Sequence, residues 1–419
     1  MARECTCRPP CLAAQCPMPF DLPASSPTAA APDPAAQAVT EALTARLSAD
    51  IQACAGWIPF ELWMQRALYE PGLGYYSGPL RKFGADGDFT TAPELSPFFA
   101  ACVARQVSQW FGHCAPVVVE FGAGSGVLAA GLIQALHALG TPVQRYAIVE
   151  VSASLRERQR ETLASLPAGL ADCVQWLDRL PDRIDGVVLG NELLDAMPVC
   201  LFESEGAQVH ELGVALDPSG RFEWRAQPAG SSVQEAVSGL QPLFRGAEGG
   251  GVGRYRSEIG FQAQAWVRTV GQALERGAML LIDYGFPARE YYHPQRAQGT
   301  LMAHRRHRAH PDVLADPGLQ DVTAHVDFSA VAQAGAEVGL DLLGYTSQAR
   351  FLINGGILEL LAPSAQDAAR TVAGVRQLGA VQTLLSEAEM GELFKVIAMG
   401  RGLPDEACGF VRGDRRGAL

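Results

Sequence analysis

The chain contains 419 residues, of which 48% are hydrophobic and 19% are charged, and its formal net charge at pH 7 is −12. This composition excludes a chain that is disordered throughout, and the sequence shows no collagen repeat, no coiled-coil register and no apolar stretch of membrane-spanning length. Because broad binding to nucleic acid or to acidic membranes requires a basic face, the acidic balance argues against both kinds of partner.

The cysteines divide into two groups. Four of the ten lie within the first sixteen residues and the others are scattered singly, with no C-x-x-C pair. This usage favours a reducing compartment, which we take to be the bacterial cytoplasm, with the mitochondrial matrix as the alternative. The N-terminal spacing differs from that of zinc knuckles, so we predict a disordered leader over residues 1–37 and no metal site, with a zinc cluster as the alternative. The cysteines of this leader are Cys5, Cys7, Cys11 and Cys16.

Residues 38–115 are predicted to form an N-terminal helical cap, with folded structure beginning near Thr40. Ser96 followed by Pro97 predicts the start of a second helix, because the pair combines an N-cap with proline at the first helical position. The segment 69–94 between these helices is rich in Gly, Pro, Tyr and Asp, and loops of this length tend to be functional. The first helix is predicted from one apolar face that contains Leu43, Leu47, Ile51 and Cys54.

From residue 116 the pattern alternates between strands and helices, which predicts an α/β fold with a parallel sheet covered by helices on both faces. A helix is predicted over 127–139, and Ser154 with Glu157 predicts a capping box for the helix after the second strand. The strands are predicted at 116–121, 145–151, 174–177, 186–190 and 278–284, with a final pair at 340–345 and 394–399.

Two insertions enlarge this core, which we place at 116–400 with a tail at 401–419. Residues 199–260 resemble a β-hairpin followed by a glycine-rich run at 246–253, and residues 285–325 are predicted to be a long loop. We expect both to lie as a lid or second domain over the carboxyl ends of the strands. His304, His307 and His310 alternate with arginines in the second insertion, which favours a solvated basic loop, or a contact for an acidic partner, over a metal site.

The most specific motif is a glycine-rich turn, EFGAGSG, which runs from Glu120 to Gly126 between a predicted strand and its helix. Its G-x-G-x-G spacing, formed with Gly122 and Gly124 around Ala123, differs from the dinucleotide fingerprint. The Glu120 carboxylate would repel a diphosphate but suits a ligand that carries an ammonium and a sulfonium. We therefore predict that the turn binds S-adenosylmethionine; the alternative is a tight turn without a ligand.

Three further residues are assigned to the cofactor. Glu150 ends the second predicted strand, 24 residues after Gly126, and an acid in this place accepts the ribose hydroxyls of an adenosine cofactor. Asp178 follows the third strand and is predicted to meet the adenine amino group. Asn191, at the end of the fourth strand, completes the set. The alternative for Glu150 is a solvated charge at a strand end.

The acceptor is predicted to bind after the fourth strand, where Glu192 and Asp195 interrupt an apolar stretch. Substrates in open α/β sheets bind at the carboxyl ends of the strands. Two acids three residues apart share one face if the segment is helical, and such a pair can bind a guanidinium or a protonated amine. The alternative is a helix start with acids that favour its dipole.

Five ordered motifs stand out in the sequence: GDFTTAPE at 87–94, EFGAGSG at 120–126, NELLDAMP at 191–198, DYG at 283–285 and QDVTAHVDF at 320–328. Together they resemble the MidA family of class I S-adenosylmethionine-dependent methyltransferases. The resemblance covers about residues 38–400 and implies a Rossmann-like sheet of seven strands with helices on both faces. The mitochondrial members assist the assembly of respiratory complex I and are associated with symmetric dimethylation of a protein arginine.

Two of these motifs add candidate catalytic residues. Glu94 ends the motif GDFTTAPE, which falls in the long segment 69–94. This makes the segment a candidate lid or cofactor-facing element, with a structural turn as the alternative. His325 and Asp327 form a candidate acid/base pair, although Asp327 is also placed to cap the helix that follows. We therefore predict a methyltransferase that acts on a protein side chain, with arginine as the expected acceptor. The alternatives are a small-molecule O- or N-methyltransferase and a non-catalytic assembly factor that binds S-adenosylmethionine.

Overall fold

A computed structural model describes residues 34–78, 90–245, 253–305, 308–368 and 371–419. Short 3-10 helices occur at Ala171–Cys173, Pro294–Arg296, Cys408–Phe410 and Arg416–Ala418. The α-helices are α1 (Pro34–Ala53), α2 (Phe60–Tyr69), α3 (Ala92–Leu95), α4 (Pro97–Trp110), α5 (Val127–Ala138), α6 (Ala153–Leu163), α7 (Ser231–Arg245), α8 (Phe261–Ala273), α9 (Ala288–Tyr291), α10 (Phe328–Glu337), α11 (Gln348–Asn354), α12 (Ile357–Ala368), α13 (Val372–Leu385) and α14 (Met390–Leu393).

The strands of the described residues form three sheets. They are β1 (Ile58–Pro59), β2 (Val117–Phe121), β3 (Arg145–Val149), β4 (Val174–Leu177), β5 (Ile184–Asn191), β6 (Cys200–Glu205), β7 (Gln208–Leu216), β8 (Phe222–Pro228), β9 (Arg254–Ile259), β10 (Leu274–Phe286), β11 (Met302–Arg305), β12 (Arg308–His310), β13 (Asp321–Thr323), β14 (Val326–Asp327), β15 (Asp341–Ser347) and β16 (Phe394–Arg401).

The central sheet has the strand order β15-β16-β10-β5-β2-β3-β4, with β14 paired to the end of β10. Strands β10, β5, β2, β3 and β4 are parallel, and β16 runs antiparallel to both of its neighbours. All five side chains of β2 are buried, as expected for a strand that is covered on both faces. The predicted α/β fold is confirmed, and the predicted strand pair near the C-terminus is β15 with β16.

Separate apolar cores cover the two faces of this sheet. On one face, helices α4 and α5 pack through side chains such as Phe99 and Leu132. On the other face, helices α8 and α10 pack through Val267 and Val331. Strand β2 adjoins β3 on one side and β5 on the other, which makes its carboxyl end the topological switch point. Ligands of open α/β sheets bind at this point, so the sheet places a site there.

The N-terminal cap differs from its prediction in three respects. Helix α1 begins at Pro34, before Thr40 and inside the predicted leader, and residues 1–33 lie outside the described residues. Cys54 follows the end of α1 and is exposed, so it does not belong to the buried face. Helix α2, which carries the fully buried Trp63, was not predicted. The start of the next long helix is confirmed, because the Ser96 hydroxyl accepts a hydrogen bond from the Phe98 amide at 3.3 Å.

The two insertions form sheets of their own. Residues of the first insertion supply β6 to β9, which together with β1 make a five-stranded sheet, and α7 was not predicted. The glycine-rich run lies outside the described residues from 246 to 252. The prediction of a long loop at 285–325 is wrong, because β11, β12 and β13 form a three-stranded sheet there. Strands of three or four residues are too short to produce a readable alternation.

A third apolar core joins the cap to both insertions. Leu43 of α1 and Trp63 of α2 pack with Val214 of β7 and Val322 of β13 in one cluster. Burial of this shared surface fixes the cap and the insertions to one another, since apolar area removed from water is the main stabilising term. None of the described helices is long and apolar enough to cross a lipid bilayer.

The helix after β3 is capped by a different residue from the one predicted. The hydroxyl of Ser152 accepts a hydrogen bond from the Leu155 amide at 3.5 Å, and α6 begins at Ala153. The capping box predicted at Ser154 and Glu157 is therefore wrong by two residues. Both candidate caps are serines, and the position of the strand end decides between them.

Candidate active site

A cavity of about 1100 Å³ opens at the carboxyl ends of the central strands. The strands contribute Phe121 from β2, Asn191 from β5 and Tyr284 from β10, and Glu150 follows β3. Further walls come from α2 and the residues after it, from the segment 90–94 and from the second insertion. The cavity is therefore assembled from the core, the cap and the insertion together.

The cavity gathers most of the residues that the sequence singled out. Gly126 is not in its lining, although both of its chain neighbours are, and Asp178 lies outside it. The first three residues of the GDFTTAPE motif lie outside the described residues. The candidates that line the cavity are Glu94, Glu120, Gly122, Ala123, Gly124, Glu150, Asn191, Glu192, Asp195 and His325.

The glycine turn has a backbone that only glycine adopts without strain. Gly122, Gly124 and Gly126 have φ values of 67°, 52° and 81°, in the left-handed region that a Cβ atom disfavours. A Cβ on Gly126 would also approach Cα of Gln159 to 3.2 Å. This explains the G-x-G-x-G spacing, because every second residue of the turn between β2 and α5 has a positive φ.

Glu120 is buried beside the turn, where it is 2% exposed. The hydroxyl of Tyr146 donates a hydrogen bond of 2.8 Å to its Oε2. Burial raises the pKa of Glu120 to about 7, and the hydrogen bond from Tyr146 opposes that rise. A cation at this carboxylate would stabilise the ionised form.

Gln159 joins Glu150 to the glycine turn. Its amide nitrogen donates to the Gly124 carbonyl at 3.1 Å and to Glu150 Oε2 at 3.3 Å, while Trp176 donates to its amide oxygen at 2.9 Å. Glu150 Oε1 accepts the Ser152 amide at 2.8 Å. Burial raises the pKa of Glu150, and these donors lower it. The Gln159 contribution was missed, because an isolated glutamine on a polar helix carries no sequence signal.

Asp178 is not brought to the cavity. Its side chain is 86% exposed, and its carboxylate pairs with Arg156 at 2.6 Å. It lines a separate depression together with Trp176 and Arg183. The structure therefore gives no support to the predicted contact between Asp178 and adenine.

The segment that follows β5 is a turn and not a helix, so Glu192 and Asp195 do not share a helical face. Glu192 adopts φ 50°, which is unusual for a residue with a side chain. The buried carboxylate of Asp283 holds this turn, because its Oδ2 accepts the amides of Leu193 at 3.1 Å, Leu194 at 2.8 Å and Asp195 at 3.3 Å. Burial raises the pKa of Asp283, and the backbone donors oppose that rise.

Glu192 and Asp195 meet in the cavity even though they do not share a helix. Burial, followed by the charge of Asp195, raises the pKa of Glu192 to about 8, and Asn191 donates to Glu192 Oε1 at 3.1 Å. Burial also raises the pKa of Asp195 to about 6, while a hydrogen bond from the Tyr284 hydroxyl lowers it. The charge of Asp321 also raises the pKa of Glu192. The pair therefore favours a cationic ligand.

Four buried polar atoms that line this cavity have no hydrogen-bond partner within the described part of the chain. Three of them belong to acceptor groups, since Glu94 and Asp195 are carboxylates and the Asn191 atom is the amide oxygen. An unpartnered buried acceptor carries a desolvation penalty that a ligand donor would remove. The four atoms are Glu94 Oε2, Asn191 Oδ1, Asp195 Oδ1 and His325 Nδ1. Their common location indicates a ligand that is rich in N–H groups.

His325 does not act with Asp327. Its ring lies 5.2 Å from the rings of both Tyr284 and Phe286, and burial lowers its pKa to about 4, so the imidazole is neutral. Asp327 instead caps α10, because its Oδ1 accepts the amides of Ser329 at 3.0 Å and Ala330 at 3.2 Å. The capping alternative is therefore the one that the structure adopts.

The described part of the histidine-rich segment forms two strands, in which Arg308 is exposed. His304 lies on β11 and lines the cavity, and burial lowers its pKa. His310 lies on β12, and His307 is outside the described residues. Among the residues that are described, no cluster of three or more potential metal ligands is present.

Three tyrosines and one carboxylate line the cavity without having been predicted. Tyr284 and Asp321 stand in the quoted motifs DYG and QDVTAHVDF, so a signal for them was available. Tyr69 and Tyr76 border the glycine-rich segment of the cap. The composition of that segment does not indicate that these two side chains face the cavity.

Comparison with known proteins assigns the family. The model of the Methyltransf_28 family, which describes S-adenosyl-L-methionine-dependent methyltransferases, matches residues 102–346, more than half of the chain. The chain belongs to this family. The resemblance to MidA proteins is thereby confirmed, and so is the predicted cofactor.

Solved and curated relatives of this methyltransferase agree with that assignment. A methyltransferase-like protein from Burkholderia thailandensis, solved in complex with S-adenosyl-homocysteine, is 52% identical with a TM-score of 0.87, over 93% of this chain and 99% of that one. Protein arginine methyltransferase NDUFAF7, mitochondrial, of Mus musculus is 29% identical over 80% of this chain and 79% of its own length. The Drosophila melanogaster homologue is also 29% identical, over 83% of this chain and 82% of its own length.

Proposed function

We propose that this methyltransferase transfers a methyl group from S-adenosylmethionine to a guanidinium nitrogen of a protein arginine. The observation that carries the proposal is the set of unpartnered buried acceptors, which includes Asp195 Oδ1 and Asn191 Oδ1, beside the carboxyl pair of Glu192 and Asp195. A guanidinium offers five N–H donors and a permanent positive charge, so it matches a buried site made of acceptors.

The cofactor half of the cavity is assigned to the glycine turn and the acids that flank it. Gly122 and Gly124 allow the backbone to approach the ligand closely, and Gly126 allows the turn to pack against Gln159. We assign Glu120 to the methionine ammonium group and Glu150 to the ribose hydroxyls, and Gln159 fixes Glu150 relative to the turn. When bound, S-adenosylmethionine supplies an electrophilic methyl group on its sulfonium.

The acceptor half is assigned to the turn after β5. The carboxylates of Glu192 and Asp195 orient the guanidinium, and one of them takes the proton that the nitrogen loses when its bond to carbon forms. Carboxyl groups whose pKa lies between about 6 and 8 are suited to accept a proton near neutral pH. Tyr284 holds Asp195 through its hydroxyl. Methyl transfer then depends on alignment and electrostatics more than on covalent catalysis.

The names of the curated relatives support the same acceptor. The mouse and fly proteins are both called protein arginine methyltransferases, and each aligns over about four fifths of this chain. Relatives at 29% identity support the family and the cofactor of this chain more strongly than they support its substrate. The acceptor is therefore argued from the cavity, and the relatives add weight to it.

The test is incubation of the protein with methyl-labelled S-adenosylmethionine and a lysate from a strain that lacks the gene, followed by mass spectrometry. Label on arginine side chains of protein is the expected result. Label found only in small metabolites would contradict the proposal. The matched pair of variants is Glu192→Gln, which we expect to lose transfer, and Glu157→Gln on the exposed face of α6, which we expect to keep it.

A further inference from the structure

Asp321 is a buried carboxylate of the cavity that the proposed transfer does not use. It is the first residue of β13 and is 3% exposed. Its charge raises the pKa of Glu192, so the two carboxylates are electrostatically coupled across the cavity. Both Asp321 oxygens lie 2.9 Å from the hydroxyl of Tyr76, which donates to them. The carboxylate is thereby held in a fixed orientation.

Two tyrosines of the N-terminal cap adjoin this carboxylate. The rings of Tyr69 and Tyr76 stack with their centroids 5.5 Å apart and an angle of 21° between their planes. The Tyr69 hydroxyl donates to the Ala196 carbonyl at 3.0 Å, which ties the pair to the turn that carries Asp195. Both side chains line the cavity. The cap therefore contributes an aromatic surface beside the acceptor acids.

A flat aromatic surface next to a fixed carboxylate distinguishes between organic cations. A guanidinium is planar, weakly hydrated and able to stack on an aromatic face while it donates two parallel hydrogen bonds to a carboxylate. A lysine ammonium is compact and strongly hydrated, so burial in such a place removes more hydration for less gain. Such a surface therefore favours arginine over lysine.

We propose that Tyr69, Tyr76 and Asp321 form a subsite that selects a guanidinium over an ammonium; this inference rests on the proposed function. The three residues lie on or beside α2 and on β13, outside the central sheet. The cap and the second insertion thus set which side chain is accepted, while the central sheet holds the cofactor. This gives the two added segments a specific role in substrate choice.

The test measures binding of two small probes to the full chain saturated with S-adenosyl-homocysteine. The probes are N-acetyl-arginine amide and N-acetyl-lysine amide, and titration calorimetry gives their dissociation constants. We expect the arginine probe to bind at least about tenfold more tightly, as one charge-assisted hydrogen bond alone supports such a ratio. Equal affinities, or no binding of either probe, would overturn the subsite.

Two variants connect this selectivity to the proposed residues. Asp321→Asn keeps the shape but removes the charge, and Tyr69→Leu removes the aromatic face; we expect each to reduce the ratio to about threefold or less. Asp341→Asn, at an exposed position of β15, is the control and should keep the wild-type ratio. Affinity for S-adenosyl-homocysteine reports whether each variant is folded. If one variant loses that affinity, the other decides the outcome.

Failure of this subsite and failure of the proposed function give different results. Selective binding of the arginine probe without methylation of any arginine would reject arginine methyl transfer and leave the subsite standing. Arginine methylation with an unchanged probe ratio in Asp321→Asn and Tyr69→Leu would reject the subsite and leave the function standing.

Discussion

The hydroxyl of Tyr146 donates a 2.8 Å hydrogen bond to Glu120 at the end of β2. Both residues are buried, and the two influences on Glu120 oppose each other, because burial raises its pKa to about 7 while the hydrogen bond lowers it. The ionisation of this carboxyl therefore depends on burial first and on the phenol of the neighbouring strand second.

Affinity for S-adenosylmethionine is expected to fall as the pH decreases through about 7. The ionised form of Glu120 attracts the ammonium group of the ligand, and protonation below its pKa removes that attraction. Tyr146→Phe deletes the hydrogen bond that favours ionisation, so the midpoint of the fall should move to higher pH. Calorimetric titration between pH 5.5 and 8.5 measures the profile. An affinity that is flat across this range would contradict the role of Glu120.

Gly124→Val is expected to weaken cofactor binding by more than about a hundredfold. Gly124 has a φ of 52°, and a β-branched residue is strongly strained in that region. Gly220→Val is the matched control, because Gly220 also has a positive φ, of 84°, but lies in an exposed hairpin turn. Calorimetry on both variants, with a thermal melt to verify folding, tests the assignment. Wild-type affinity in Gly124→Val would remove the cofactor from this turn.

Asp283→Ala is expected to lower the free energy of unfolding by about 2–4 kcal/mol, because three buried backbone amides lose their acceptor. Urea denaturation gives the value. Asp217→Ala provides the comparison, since Asp217 accepts the amides of Ser219 at 2.8 Å and Arg221 at 2.9 Å in an exposed turn, where water replaces the lost partner. Equal losses in the two variants would mean that burial of Asp283 has no special effect.

The rate of methyl transfer is expected to rise with pH between about 6 and 8. Glu192 and Asp195 have pKa values raised to about 8 and about 6, and their ionised forms both attract the guanidinium and accept its proton. Glu192→Gln should lower the rate by about 10²–10⁴, the usual contribution of a general base, and remove the upper part of the rise. Initial rates at saturating cofactor measure both effects. A Glu192→Gln enzyme with the wild-type profile would exclude Glu192 from proton transfer.

The sequence was most informative where structure depends on neighbouring residues. The buried run of β2, the glycines that follow it and the helix from Val127 are adjacent in the chain, so pattern and turn chemistry were sufficient to predict them. Ser96 was predicted as a cap for the same reason. The short strands β11 to β13 were missed because three or four residues carry too little periodicity.

The candidate site was less predictable where distant residues decide its geometry. The sequence left open whether the segment after Asn191 is helical; Asp283, 88 residues beyond Asp195, accepts hydrogen bonds from its amides and holds it as a turn. Asp178 follows its strand as predicted, yet a salt bridge to Arg156 holds it outside the cavity. Neither contact can be read from a local pattern, because it depends on which elements the fold makes adjacent.

The hydrogen bond from Tyr76 to Asp321 joins residues that are 245 positions apart. Closure of so long a loop carries a large entropic cost and occurs late relative to local contacts. A nascent chain that ends at β9 contains the whole glycine turn but neither Asp283 nor Asp321. At that stage of synthesis the acceptor half of the cavity cannot form. The part of the cavity that contains Asp195 and Asp321 is therefore completed only after synthesis has passed Asp321, whereas all residues of the glycine turn are present much earlier.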